Sequence, residues 1–245
     1  MSKYKVNPKT KGSGVIAAIP QTGRCPIQCE DCFFQSGRSF LEPLDENLPN
    51  MPSFEQSIGR VVRVNDGNDS NNGQQQVLES TAMYQMKFYN TSIPKRLENF
   101  VDPVVLTINP GKMTDVEFYK LDPIPKNLMF VRIRTNMWNL VDVVIPAVNY
   151  YTKHEVPVVL TFMAYYDTQD KIPAGFKDCY IFKKRTLNSY YVLKQYHWTN
   201  IMLLFKDIKY VHSCGKDANT YPCKFCGNCI REYHVTKLRI SGRDL

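Results

Sequence analysis

Short runs of β-branched and apolar residues recur along this chain of 245 residues, separated by longer segments with a helical pattern. The runs cover residues 15–19, 60–64, 104–108, 129–135 and 156–163, with a sixth at 180–183 or at 209–212. Such alternation is typical of βα units wound around a parallel sheet. We therefore expect an α/β fold: a partial (β/α)6 TIM-like barrel over residues 1–208 and a small C-terminal cysteine-rich extension over residues 209–245.

The segments between these runs predict helices at 77–89, 114–121, 138–151 and 187–205. In the third helix, Pro146 is expected to introduce a kink or mark an end. Residues 36–57 are rich in proline, asparagine and acidic side chains, which indicates a long irregular loop. The polar tract 65–76 is rich in turn-forming residues and indicates a second loop.

The cysteines of this chain point to metal binding rather than to disulfides. The first residues are basic and polar and precede only a short apolar run, which argues against a secretory signal. No run approaches the roughly 18 to 20 apolar residues that cross a bilayer. These features predict a soluble, cytoplasmic protein without a membrane partner, and disulfides are rare in that compartment. Seven of the eight cysteines fall in two tight clusters, as metal ligands or catalytic thiols do.

The first cluster consists of Cys25, Cys29 and Cys32, which lie in the sequence CPIQCEDC directly after the first predicted strand. Their spacing is C-x3-C-x2-C. Three thiolates on one loop can hold three irons of a [4Fe-4S] cluster and leave the fourth iron without a protein ligand. Structural zinc is the main alternative, although C-x2-C spacing is more usual for zinc.

This motif, in its position after a first strand, resembles that of the radical S-adenosylmethionine (AdoMet) superfamily, whose fold is a full or partial barrel. The resemblance implies that AdoMet chelates the open iron through its amino and carboxylate groups. It also implies that an electron, delivered by a donor such as flavodoxin or ferredoxin, cleaves AdoMet to methionine and a 5′-deoxyadenosyl radical. That radical would abstract a substrate hydrogen atom, so the chain is expected to be an enzyme.

The resemblance further suggests where AdoMet would lie. The turn that corresponds to the superfamily's glycine-rich segment is Asn65, Asp66 and Gly67, whose side chains and backbone would meet the AdoMet ammonium group. Barrel active sites also gather at the carboxyl ends of the later strands. The further candidates there are Thr107, Asn109, Arg134, Asn136, Thr161 and Met163. Among them, Arg134 is expected to pair with the AdoMet carboxylate.

The second cluster consists of Cys214, Cys223, Cys226 and Cys229, with the spacing C-x8-C-x2-C-x2-C. Four thiolates within so short a stretch are a strong metal signal. The pattern resembles the auxiliary [4Fe-4S] clusters of many radical AdoMet enzymes, while an all-cysteine zinc site remains the alternative. Cys179 belongs to neither cluster and is expected to be a buried strand cysteine.

The net charge of +8 and the 15 tyrosines bear on the substrate. Surplus cations favour an anionic partner, and aromatic side chains interleaved with cations can stack nucleic-acid bases. A nucleotide or nucleic-acid base is therefore the first expectation for the substrate, and a peptide is the second. The alternative function is a non-catalytic nucleic-acid-binding protein stabilised by zinc or an iron-sulfur cluster.

Overall fold

The computed structural model describes residues 4–27, 29, 32–109, 120–166, 169–184, 189–215, 217–218 and 222–242. The strands are β1 (Val15–Ala18), β2 (Val61–Val64), β3 (Lys87–Thr91), β4 (Val104–Ile108), β5 (Leu128–Thr135), β6 (Val158–Phe162), β7 (Ala164–Tyr166), β8 (Tyr180–Lys183), β9 (Tyr190–Leu193) and β10 (Val211–Ser213). The helices are α1 (Leu44–Asn47), α2 (Phe54–Ser57), α3 (Gln74–Ser80), α4 (Ile145–Lys153), α5 (Gln195–Leu204), α6 (Cys223–Cys226) and α7 (Asn228–Ile240).

A curled parallel sheet forms the frame of the described residues, with the strand order β1-β2-β3-β4-β5-β6-β10. Successive strands are in parallel register, with Val15 opposite Val61 and Val131 opposite Val158. Because all these strands point the same way, the loops that leave their carboxyl ends share one edge of the sheet. The α/β class is thus confirmed, and the curled half-barrel is compatible with a partial TIM-like barrel.

Alternate strand residues point to opposite sides of this sheet, so each face carries apolar side chains. Helices cover both faces. On the outer face, Val62, Leu106 and Leu160 belong to the same core as Val77 of α3, Val148 of α4 and Ile201 of α5. The inner face carries Val61, Phe88, Val105, Phe130 and Val159, which pack with Ile230 and Tyr233 of α7. The last helix therefore lies against the inner face, on the side opposite to the other long helices.

Polar contacts at its two ends fix the direction of α7. At its start, Asn228 Nδ2 donates to the carbonyl oxygen of Ser213, at the carboxyl end of β10, over 2.8 Å. Near its end, Arg239 Nε donates to the carbonyl oxygen of Lys126, just before β5, over 3.0 Å. The helix therefore runs antiparallel to the sheet strands, and its first residues lie at the carboxyl edge.

A smaller antiparallel sheet follows β6 and has the order β7-β9-β8. Tyr165 of β7 and Tyr180 of β8 lie against Trp138, with ring centroids 5.5 and 6.1 Å from the indole. This aromatic cluster joins one face of the small sheet to the main core.

Most predicted strands are confirmed, including the run at 104–108, and the two alternatives for the sixth strand both form. Residues 180–183 belong to the small sheet, whereas β10 adds a strand beside β6. The helix predicted at 77–89 is wrong in its second half, since α3 ends at Ser80 and residues 87–91 form β3. Phe88 faces the inner side and Tyr89 the outer side, so both are buried although their pattern also suits a helix.

The helix predicted at 187–205 is also partly wrong, because residues 190–193 form β9 and α5 begins at Gln195. The segment 138–151 is helical in two parts, a π-helical turn at Leu140–Val144 and then α4, with Pro146 in the first turn of α4. Most of the helix predicted at 114–121 lies outside the described residues. Within the described chain, no helix has the length and apolar character needed to cross a bilayer.

Candidate functional site

The first cysteine loop leaves the carboxyl end of β1. Cys25 is buried, with 8% of its surface exposed, while Cys29 and Cys32 are half-buried. The backbone N–H of Cys32 donates to the carbonyl oxygen of Cys29 over 3.2 Å. Gln35 Nε2 donates to the carbonyl oxygen of Cys25 over 2.7 Å. These two hydrogen bonds connect Cys29 with Cys32 and Cys25 with Gln35.

The thiols of this loop are close enough to influence one another. The pKa of the Cys25 thiol is raised to about 11, mainly by burial; a backbone hydrogen bond at Ile27 acts against this shift, and the carboxylate of Asp69 and the thiols of Cys29 and Cys32 add to it. Metal binding at Cys25 would therefore have to displace a firmly held proton.

Side-chain contacts fix the cysteine loop to the loop that follows β2. Gln21 Nε2 donates to the carbonyl oxygen of Asp69 over 2.9 Å, and Asn68 Nδ2 donates to that of Gly23 over 3.0 Å. The ring of Phe34 lies so close to Gly67 that a Cβ there would stand 2.2 Å from the ring carbon Cδ2. Gly67 therefore permits a close approach, and in this structure the approaching group is Phe34.

The other two residues of the predicted AdoMet turn have different surroundings. Asn65 adopts a left-handed backbone conformation with φ of 60°, and its Nδ2 donates to Ser70 Oγ over 3.1 Å. Its Oδ1 atom is buried and accepts no hydrogen bond from any described residue. The carboxylate of Asp66, by contrast, already receives the guanidinium of Arg63 and the amide of Asn7.

The candidates at later strand ends fall into two groups. Asn109 Nδ2 and Thr161 Oγ1 are buried polar atoms that make no hydrogen bond with the described residues. The remaining residues contact their neighbours: Arg134 Nε lies 3.0 Å from Met163 Sδ, and Asn136 Nδ2 lies 3.3 Å from the hydroxyl of Tyr165. Thr107, on β4, is half-buried between the outward-facing Leu106 and Ile108, which places it on the inner face.

The second cysteine cluster gathers residues from three elements. Cys214 directly follows β10, Cys223 and Cys226 are the two ends of α6, and Cys229 is the second residue of α7. A hydrogen bond from the Cys214 thiol lowers the pKa of Cys226 and raises that of Cys214. Although the Cys214 residue as a whole is exposed, this bond turns its sulfur towards the other cysteines.

Two arginines of the inner face accompany the second cluster, and the spacing of the cysteines did not reveal them. Arg63 of β2 is 7% exposed, and its Nη1 atom lies 4.0 Å from Cys223 Sγ. Burial alone would lower the pKa of Arg63, but Asp66 and the thiols of Cys223 and Cys229 raise it. Burial raises the pKa of Cys229, and the guanidinium groups of Arg63 and Arg132 act against that shift. The sequence did contain a signal for Arg63, which lies within the apolar strand sequence RVVRV. An arginine buried in such a strand requires an anionic partner, because an unpaired buried cation is costly.

The N-terminal segment connects the two cysteine sites. The backbone N–H of Cys223 donates to the carbonyl oxygen of Lys9 over 2.8 Å. The ammonium group of the same Lys9 lies 4.5 Å from the ring centroid of Phe33, which follows Cys32. Both clusters therefore lie at the carboxyl edge of the sheet, and Lys9 contacts Cys223 of the second cluster and the residue that follows Cys32 of the first.

No group of three or more His, Cys, Asp or Glu side chains in the described residues has the arrangement of a metal site. The donor chemistry of both clusters nevertheless suits a soft metal, because thiolates favour iron-sulfur clusters and zinc over magnesium or calcium. A cavity of about 620 Å³ lies elsewhere, around Gln74, Arg96 and Asn99, and shares no residue with either cluster.

Comparisons with protein-family models, curated proteins and solved structures found no match to this chain.

Proposed function

We propose that this chain is a radical AdoMet enzyme on a partial (β/α)6 TIM-like barrel, in which Cys25, Cys29 and Cys32 hold a [4Fe-4S] cluster. The observation that carries the proposal is the position of these thiols on the loop after β1, at the carboxyl edge of a curled parallel sheet. In barrels of parallel strands this edge is where active sites lie. The clustering of seven of the eight cysteines is typical of metal ligands in a reducing compartment, and we expect the enzyme to work in the cytoplasm.

Three inward-facing or loop side chains would meet AdoMet. Asn65 Oδ1 is an acceptor for its ammonium group, while Asn109 Nδ2 and Thr161 Oγ1 are donors for its carboxylate or ribose oxygens. Buried polar atoms without partners are costly, and a ligand that satisfies them lowers that cost. When bound, the cluster would supply the low-potential electron that cleaves AdoMet and yields the hydrogen-abstracting 5′-deoxyadenosyl radical.

The second cluster would be a closed site, because Cys214, Cys223, Cys226 and Cys229 supply four thiolates. A [4Fe-4S] cluster is the first assignment and zinc is the second. The nearby guanidinium of Arg63 offsets the negative charge that four thiolates would bring to the inner face. A flavodoxin or ferredoxin is the expected electron donor, and a nucleotide or nucleic-acid base is the expected substrate.

The test is AdoMet cleavage by anaerobically reconstituted, dithionite-reduced protein, measured as 5′-deoxyadenosine by liquid chromatography. We expect the wild type and the variant Cys179→Ala to form 5′-deoxyadenosine, and Cys29→Ala to form none. Cys179 is the matched control, since it lies in neither cluster. Absence of 5′-deoxyadenosine from wild-type protein with a loaded first cluster would overturn the proposal.

A metal-stabilised nucleic-acid-binding protein is the second candidate, and the observation that favours it is the position of Cys214, Cys223, Cys226 and Cys229 at the end of β10, in α6 and at the start of α7. Four thiolates suffice for structural zinc, which contributes directly to folding energy. Purified protein that is colourless, contains stoichiometric zinc and lacks iron would support this candidate against the enzyme.

A further inference from the structure

A row of aromatic and cationic side chains extends from the first cysteine loop across the small antiparallel sheet. Phe33, Tyr166 and Tyr190 form its centre, with ring centroids 5.7 and 5.8 Å apart in that order. The guanidinium carbon of Arg38 lies 4.6 Å from the centroid of Tyr166, and the ammonium of Lys9 lies 4.5 Å from that of Phe33. Together with Lys183, these six residues are called the aromatic row below.

Strand register explains why the row forms on one face. Tyr166 of β7 is opposite Tyr190 of β9, which is opposite Lys183 of β8, so the three side chains share a face. Their neighbours Tyr165 and Tyr191 point to the other face, where Tyr165 packs against Trp138. The opposite face thus anchors the sheet, while Tyr166, Tyr190 and Lys183 remain half-buried.

The aromatic row begins at the site of the proposed chemistry. Phe33 immediately follows Cys32, and Lys9 touches both Phe33 and the backbone of Cys223. A ligand lying along the row would therefore have one end beside the first cysteine loop.

The chemistry of the row fits a polyanion with planar bases. Rings stack bases without regard to their identity, and interleaved cations neutralise phosphates. None of the six members carries a negative charge. An acidic peptide could pair with the cations but offers no planar group that stacks on aromatic rings.

We propose that the aromatic row binds a single-stranded nucleic acid and places one nucleoside next to the first cysteine loop. This inference deepens the proposed enzyme function, because it names the substrate class and its binding surface. The binding itself requires neither AdoMet nor a reduced cluster, so it can be measured separately from catalysis.

The test is fluorescence anisotropy of fluorescein-labelled oligouridine and oligothymidine with the full-length, metal-reconstituted protein in the absence of AdoMet. A duplex of equal length and a polyglutamate peptide complete the set of probes. We expect both single strands to bind more tightly than the duplex and the peptide, and the preference between the two strands tells RNA from DNA. Tighter binding of polyglutamate than of either strand would overturn the proposal.

Substitutions of matched tyrosines locate the surface. Tyr190→Ser removes one stacking ring and should raise Kd on the order of tenfold to a hundredfold. Tyr190→Phe keeps the ring and should restore binding, which separates loss of stacking from loss of folding. Tyr196→Ser is the control, because Tyr196 lies on α5, is 70% exposed and is not in the row. Equal Kd values for Tyr190→Ser and Tyr196→Ser would overturn the assignment.

The contribution of positive charge to binding is tested through its salt dependence, with a separate control variant. Lys183→Gln should reduce the slope of log Kd against log salt by about 0.7, the value for one phosphate contact on a single strand. Lys206→Gln, at a site with 64% of the side chain exposed and paired with Asp207, should leave that slope unchanged. An unchanged slope in Lys183→Gln contradicts a phosphate contact in the row.

If 5′-deoxyadenosine forms but no strand binds, this inference fails while the proposed function stands.

Discussion

The guanidinium of Arg63 bridges two parts of the chain: its Nη1 atom lies 4.0 Å from Cys223 Sγ, and its Nη2 atom pairs with the carboxylate of Asp66. Arg63 thus contacts a carboxylate on the turn after β2 and a cysteine sulfur on α6. We therefore expect Arg63 to have two roles: it neutralises Asp66, and it would offset the charge of the thiolates in a metal-loaded second cluster. Substitutions can separate these roles.

Arg63→Met should weaken metal binding at the second cluster by about 10- to 100-fold, the usual effect of removing a group that supports metal ligands. The measurement is a Co(II) titration, followed by thiolate charge-transfer absorption, in protein whose first cluster is removed by alanine substitutions. The double variant Arg63→Met/Asp66→Asn also removes the negative charge that Arg63 neutralises. If the double variant regains wild-type affinity, Arg63 serves Asp66 alone.

Gly67→Ala should destabilise the protein by about 1 to 3 kcal/mol, because the new methyl group would overlap the ring of Phe34. Urea unfolding measures the change. Gly23→Ala is the control, since nothing lies within 4 Å of a Cβ at that position. In the variant Gly67→Ala/Phe34→Leu the two losses should be less than additive, and strict additivity would contradict a direct clash.

Asp102→Asn should lower the free energy of unfolding by about 2 to 4 kcal/mol, because it breaks a largely buried ion-pair network. The Asp102 carboxylate lies 3.1 Å from Lys87 Nζ and 3.0 Å from Lys237 Nζ, and it is 14% exposed. Asp207→Asn removes an exposed pair with Lys206 and should cost about 0 to 1 kcal/mol. Similar losses in the two variants, measured by urea unfolding, would show that Asp102 does not anchor α7.

Tyr89→Phe should reduce the decrease in the free energy of unfolding that occurs as the pH rises above 10. Burial raises the pKa of Tyr89 to about 12 from 10.0, so the folded state holds its phenol proton where the unfolded state has lost it. Stability from this group is complete below pH 10 and declines as the pH rises towards about 12. Removing the hydroxyl should decrease that slope by up to about 1.4 kcal/mol per pH unit. Identical alkaline unfolding profiles for wild type and variant would contradict the burial of this hydroxyl.

The sequence was sufficient to predict strands whose residues are buried on both faces. The run at 104–108 is apolar apart from Thr107, and it forms β4 with the predicted bounds. The pattern failed at Phe88 and Tyr89, because two adjacent buried residues fit a buried strand as well as one side of a helix. It failed again at Tyr190, where tertiary pairing with β7 and β8 overrides a helical pattern.

For the candidate site, the spacing predicts which cysteines act together but does not place them in space. The contact between Arg63 and Cys223 joins residues 160 positions apart, and no local pattern encodes such a distance. The position of α7 on the inner face likewise depends on contacts between residues that are far apart in the sequence. Its amphipathic sequence indicates a buried side without specifying the surface that covers it.

The docking of α7 has a consequence for the order of folding. The strands β1 to β6 pair with sequence neighbours and can assemble early, whereas the inner-face residues Phe88 and Phe130 are covered only when α7 arrives. Until then the nascent protein presents an uncovered apolar surface, the type of intermediate that aggregates. We therefore expect soluble yield in cells to depend on chaperones and on the supply of iron or zinc during synthesis.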